Sequence, residues 1–275
     1  MIDLDAYCRR IGYDGARTPT LATLRAIHAL HPHAIPFENL DPLRGRPVPL
    51  DTGALQQKML REGRGGYCFE QNVLLGHVLQ ALGFPVRWLM ARVRWGVPAG
   101  MILPRTHMML AVETEGESWL VDVGFGGNSL TAPLALSSRD EQPTPHEPFR
   151  LVDEGDKIVV QAAIRGAWDS LYAFDLGEQL LPDLETANWF TATHPKSRFR
   201  NELVASRVAP GRRYALRNNE LAVHAGDMGT ERRVLAGVAE LRDALTNVFG
   251  LTLPPDGDLD AVLARFAGDA QRAAE

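Results

Sequence analysis

An α+β fold is what this sequence predicts, on three observations. Apolar residues recur at helical spacing through the first third of the chain. Short β-rich runs separated by turn residues follow Pro85, and both periodicities mix again near the C-terminus. Helices, then antiparallel strands, then a mixed unit is the order of an α+β architecture, not of alternating βαβ units.

The elements follow in order. Thr18-Pro19 offers a capping hydroxyl and a proline at the first helical position. The spacing of Leu21, Leu24, Ile27 and Leu30 then predicts a helix that His31-Pro32 ends. A loop, Ile35-Pro36-Phe37-Glu38-Asn39-Leu40, leads to a short helix over 53–61. From Cys68 onward, Gln71, Leu74, Leu75, Val78, Leu79 and Leu82 form one helical face, closed by Gly83 and Pro85. Segments 86–93, 107–113, 119–123 and 158–164 read as strands. Residues 137–148 hold three prolines and several charges and read as a surface loop. Residues 214–223 supply one or two strands. Val234, Val238, Leu241, Leu245 and Val248 step along an amphipathic helix that Gly250 stops, and Leu259, Val262, Leu263 and Phe266 mark a last helix.

Composition narrows the function. The 275 residues are 45% hydrophobic and 23% charged, ordinary for a globular protein. A net charge of −5, with basic residues spread rather than clustered, argues against nucleic-acid binding. No run approaches the ~20 apolar residues of a membrane-spanning helix, and the N-terminus MIDLDAYCRRIGYDG lacks the charge and apolar pattern of a signal peptide. Two cysteines make no disulfide framework, so a reducing, cytoplasmic setting is expected. His28, His31 and His33 lack the further ligands a metal site needs and are expected on a helix end and loop; no metal is expected. Trp95, Trp168 and Trp189 are scattered and read as core or interface aromatics.

One cysteine stands in a telling place. In RGGYCFEQN, Cys68 follows a glycine pair where a helix begins. Unpaired N–H groups and the positive end of the helix dipole favour its thiolate, the nucleophilic form. The same N–H groups suit an oxyanion, so the local geometry fits acyl transfer. The plainer reading of Cys68 is a small buried hydrophobe, and Cys8, with no glycine turn beside it, is read as structural.

A nucleophilic cysteine needs a base and a group to orient that base. The segment THMMLAVETEGESWLVDVGFGG carries His107 and Asp122 near the open end of a hairpin. A turn at Glu115-Gly116 sets Met109 opposite Asp122, with His107 two residues along on the same face, at a diagonal of about 7–8 Å. A turn at Thr114-Glu115 sets His107 directly opposite Asp122, whereas a regular three-residue loop puts them on opposite faces. Aspartate is uncommon in a β run such as LVDVG and demands a partner if buried, which a His–Asp pair on one face supplies. A half-buried strand histidine and a charge at a strand end are the plain alternatives.

Together RGGYCFEQN, HMMLAV…WLVDVGFG, IPFENLD and NWFTATHPKSRF resemble the arylamine N-acetyltransferases, in the same order from Pro19 through Phe199. The resemblance implies three parts: a helical region over 1–85, an antiparallel, β-barrel-like region over 86–200, and an α/β lid over 201–275. The first two would form a cysteine-protease-like core. It implies the triad Cys68, His107 and Asp122. It also implies a ping-pong transfer of acetyl from acetyl-coenzyme A, through a Cys68 thioester, to an arylamine, hydrazine or N-hydroxyarylamine.

Further residues carry over from the same resemblance. Phe37 and Phe125 resemble aromatic residues of the substrate pocket; both also read as core phenylalanines. Gly124, Gly126 and Gly127 resemble a stretch that the coenzyme's phosphates approach, or are simply a glycine turn closing a hairpin. Thr106 is placed to touch coenzyme A or is an ordinary strand residue. Arg64 and Glu38 resemble an ion pair bracing the loop before Cys68; the alternative is a solvated surface pair. The oligomeric state stays open, a homodimer included. The rivals are an amide synthase closing a macrolactam from a carrier-bound acyl chain, a papain- or transglutaminase-like hydrolase, and a non-catalytic binding module.

Overall fold

The structure, a computed structural model, describes residues 1–98, 100–255 and 257–267; residues 268–275, the end of the region assigned to a lid, lie outside the described residues. Helix α1 (Leu4–Ile11) is capped by the Asp3 side chain, which accepts the Ala6 N–H, and ends at Gly12. Helix α2 (Leu21–Ala34) begins two residues later than Thr18-Pro19 suggested, because the Thr20 hydroxyl is the one that accepts the Thr23 N–H. Nor does it stop at His31-Pro32. Pro32 removes one N–H, yet the Ile35 N–H still bonds the His31 carbonyl at 2.8 Å and the last turn continues. Strand β1 (Phe37–Glu38), helix α3 (Leu40–Leu43) and helix α4 (Thr52–Gln56) follow, α4 running into a π-helical turn over Gln57–Arg61. Helix α5 (Cys68–Ala81) is buried almost all round.

Seven antiparallel strands come next: β2 (Val86–Val93), β3 (His107–Thr114), β4 (Glu117–Val121), β5 (Leu134–Ala135), β6 (Phe149–Glu154), β7 (Lys157–Ile164) and β8 (Ala167–Phe174), in the spatial order β5-β4-β3-β2-β8-β7-β6. Glu115 and Gly116, with φ of 54° and 78°, form the β3–β4 turn, and Leu110 faces Val121. Of the three turn geometries, this is the one that sets His107 diagonal to Asp122 on one face, not directly opposite it. The alternation is strict: Met108, Leu110 and Val112 pack with α1, α2 and α5, while Met109 and Ala111 face Leu89, Ala91 and Leu120 in a second core.

Helices α6 (Leu181–Thr193) and α7 (Arg198–Asn201) lead to a second antiparallel sheet. Its strands are β9 (Val204–Ala209), β10 (Arg212–Arg217), β11 (Glu220–His224) and β12 (Thr230–Val234), and β1 pairs with β9 at its edge. Helices α8 (Val238–Asp243) and α9 (Asp258–Leu263) pack on it around a third core. Val234 ends β12 opposite Glu220, so it does not belong to the helix its spacing suggested. Trp95 and Trp189 are 40% and 67% exposed, so of the core and interface alternatives the core one does not hold for them. His31 and His33 lie in the last turn of α2, at the helix end as expected, whereas His28 lies inside the helix; His28 and His31 are buried. The helices, followed by a large antiparallel sheet and a mixed unit, make the fold α+β.

Candidate active site

Cys68 is the first residue of α5, 3% exposed, with its Sγ 3.6 Å from the Thr106 carbonyl. What holds the chain here is a set of close approaches. A Cβ on Gly65 would sit 2.0 Å from the Pro36 carbonyl oxygen, and one on Gly124 would sit 2.7 Å from the Cys68 Cα. Only glycine lets both segments press this tightly against the head of the helix. The Tyr67 N–H is capped by Glu70 at 3.0 Å, while the N–H groups of Cys68 and Phe69 open the helix, where it offers them no carbonyl of its own.

His107 opens β3 and Asp122 lies one residue beyond the end of β4; both are buried. His107 Nε2 stands 2.7 Å from Asp122 Oδ2. An ionised carboxylate only accepts, so Nε2 carries the hydrogen and Nδ1 is the nitrogen left for Cys68. Burial alone would push the imidazole down. The Asp122 charge and hydrogen bond, with a smaller contribution from Cys68, outweigh it and push His107 up to about 10. Burial likewise works against the Asp122 anion, but His107, Asn72 and the Gly124 N–H hold its pKa below the ordinary value. The pair is an imidazolium against a carboxylate. Phe125 meets the imidazole edge-on with ring centres 4.9 Å apart, and Tyr172 lies against it at 4.8 Å.

Several residues that the sequence pointed to thus meet in space: Cys68, Thr106 through its carbonyl, His107, Asp122, Gly124 and Phe125. Phe37 takes a neighbouring position, bridging to Gly66 through its backbone, with its ring 5.9 Å from that of Phe199. Gly126 and Gly127 lie in a 3₁₀ turn against the second sheet, where the buried Arg213 donates to the Gly127 carbonyl at 3.3 Å. Gly124 differs from them, because its N–H is already given to Asp122 Oδ1 at 2.9 Å. Among the described residues, no group of three or more histidines, cysteines or carboxylates could hold a metal ion, and no helix is long and apolar enough to cross a membrane.

The three polar residues after the cysteine and phenylalanine form a set that the sequence pattern alone does not mark out. Glu70, Gln71 and Asn72 are all buried, each tied to a different segment. Glu70 bonds Lys58 at 2.7 Å. Gln71 donates to the Pro36 and Gly66 carbonyls and accepts from His31 Nε2 at 2.7 Å, which leaves His31 Nδ1 to accept from the Tyr7 hydroxyl. Asn72 reaches Asp122. Consecutive polar residues on a helix with no exposed face were the available signal. Arg64 and Glu38 do pair, at 2.7 Å with side chains 8% and 0% exposed, so the surface-pair alternative fails. Asp41 and Lys58 complete that network.

Comparison with known proteins shows the family. An N-acetyltransferase family model matches residues 20–257. The arylamine N-acetyltransferase of Mycobacterium tuberculosis is 43% identical, over 97% of this chain and 98% of the relative. That of Escherichia coli is 43% identical, over 90% and 88%. The solved structure of the Mycobacterium marinum arylamine N-acetyltransferase in complex with CoA superposes with a TM-score of 0.93 at 43% identity, covering 96% of this chain and all of that one. By family model, identity and fold, the chain belongs to the arylamine N-acetyltransferases, a family of acyltransferases.

Proposed function

We propose that the chain moves an acetyl group from acetyl-coenzyme A to the nitrogen of an arylamine, hydrazine or N-hydroxyarylamine by a ping-pong route through Cys68. The observation that carries this reading is the 2.7 Å His107–Asp122 pair beside a sulfur at the head of a helix. The complex of the M. marinum relative with CoA supports coenzyme A as the donor's carrier.

In the first half-reaction the proton of Cys68 is already held on His107 Nδ1, and the thiolate attacks the thioester carbonyl carbon. The opening N–H groups of α5 are the donors placed for the oxyanion. The C–S bond to coenzyme A breaks, and its sulfur leaves as the thiol with the proton that His107 returns. In the second half-reaction the amine nitrogen attacks the Cys68 thioester, its proton passes to His107, and the cysteine sulfur is released. An aromatic amine is a weak base and stays uncharged at neutral pH, so its lone pair is free. Burial of Cys68 and His107 favours amine over bulk water as the acceptor.

Phe125, against the imidazole, and Phe37, at the Gly66 edge, are the proposed pocket aromatics. Thr106, Gly126 and Gly127 are the proposed coenzyme contacts; Gly124, from the same stretch, is the close-packing residue that brings Asp122 to the helix.

Intact mass of wild type and Cys68→Ala after incubation with acetyl-coenzyme A tests the route. An acetyl adduct is expected on the wild type alone, discharged by an added arylamine. No adduct, or an adduct on both proteins, rejects it. Loading from a carrier-bound acyl chain but not from acetyl-coenzyme A would point to the amide-synthase alternative.

A further inference from the structure

The three residues of the proposed triad lie on three separate segments: Cys68 on α5, His107 on β3 and Asp122 in the loop after β4. One side chain touches all three segments. Asn72, one turn beyond Cys68, donates through Nδ2 to the Met108 carbonyl at 2.8 Å and to Asp122 Oδ1 at 3.0 Å. Its Oδ1 accepts the Val123 N–H at 3.1 Å. Both amide hydrogens and the amide oxygen are therefore engaged, in a site closed to water. A Cβ on Gly124 would lie 2.7 Å from both Asn72 Nδ2 and the Cys68 Cα, so the acid's loop is seated against the nucleophile's helix at this amide.

We propose that Asn72 is a positioning residue, which locks the helix bearing the nucleophile, the strand bearing the imidazole and the loop bearing the carboxylate into one register. The proposal rests on the acetyl-transfer reading above and goes beyond it. Asn72 reaches no reacting atom; it acts through Asp122. Removing it takes one of the donors that hold the carboxylate ionised and leaves the Met108 carbonyl and the Val123 N–H without their partner. The other ionisable groups facing Asp122 are His107 from β3, Tyr172 from β8 and His28 from α2. His28 accepts the Asp122 N–H at 3.3 Å, and burial pushes it down to about 3, so it is neutral there. The main electrostatic hold on the imidazolium is Asp122, with a smaller one from Cys68, and Asn72 sets where the Asp122 charge sits.

The test is the pH profile of Cys68 alkylation by iodoacetamide in wild type, Asn72→Ala, Asn72→Leu and Val78→Ala, with Tm recorded for each. Asn72→Leu refills the space without hydrogen bonds. Val78→Ala opens a comparable hole in the same helix away from the triad. Both Asn72 variants are expected to alkylate about tenfold more slowly near neutral pH, with the alkaline limb moved down by about one pH unit. Val78→Ala is expected to keep the wild-type profile whatever its Tm. Wild-type profiles in folded Asn72 variants would overturn the proposal, as would the same displacement in Val78→Ala. Failure of both Asn72 variants to fold while Val78→Ala folds also counts against it, since that assigns Asn72 to stability. If wild-type Cys68 takes no acetyl group yet the Asn72 profiles move, the positioning role stands and the acetyl-transfer reading falls.

Discussion

Asp122 decides which nitrogen of His107 carries a hydrogen and how firmly the ring holds its charge. Asp122→Asn keeps the shape but places an amide against Nε2, which favours the wrong tautomer. Acetylation of Cys68 by acetyl-coenzyme A is expected to slow about a thousandfold, read by quenched-flow mass measurement. The same pair has a stability signature. The folded value of about 10 lies above the ordinary 6.5, so the folded protein holds this proton more tightly than the unfolded chain. Its stabilisation is complete below about pH 6.5 and fades as pH rises through about 10. Urea unfolding of wild type and Asp122→Asn should show a gap that narrows towards alkaline pH; a widening gap contradicts the assignment.

At the level of elements, α5 shows how a helix can be placed by its polar residues. Glu70 caps the Tyr67 N–H and grips Lys58, and burial pushes its carboxyl up to about 7 despite that lysine. Its raised value means that stability declines as pH climbs from about 4.5 through 7. Glu70→Gln preserves an acceptor for Tyr67 and should remove that decline. Glu70→Ala should cost about 1–2 kcal/mol in chemical denaturation near pH 4.5, and less as pH rises through 7. The beginning of α5, strand β2 and the β3–β4 hairpin were legible in the sequence, because apolar spacing and turn chemistry are local. Helix α6 was not: its buried positions are Leu184, Asn188, Thr191 and Ala192, only two of them apolar, so it shows no stripe. Strand β8 hides behind Asp169 and Ser170, and β12 is exposed along its whole length. Cys68, His107 and Asp122 could be read because each sits at a punctuated position. Glu70, Gln71 and Asn72 could not, since what they bond lies on distant segments.

Across the whole molecule, the buried charges around Arg64 join β1, α3, the turn after α4 and the approach to Cys68. Removing the guanidinium leaves Glu38 with Lys58 at 3.9 Å and Asp41 with Lys58 and, at 3.8 Å, Arg44. Arg64→Ala should cost about 3–5 kcal/mol, seen as a lowered Tm and poor recovery of folded protein. The folded fraction should still take acetyl at close to the wild-type rate; an unchanged Tm would remove the bracing role. The C-terminal third was the least legible part, for a reason visible at this scale. Its sheet is completed by Phe37 and Glu38, which pair with Ser206 and Ala205, and is fastened by Asn39, whose side chain binds the Phe199 and Glu202 carbonyls and the Val204 N–H. No pattern within residues 201–267 announces a strand supplied from position 37. That loan of a strand also limits how the protein can be recombined. A chimera exchanging everything after residue 200 with a homologue's sequence inherits a foreign edge for Phe37, Glu38 and Asn39 to fit. The exchange can succeed only if the short IPFENL tract travels with it.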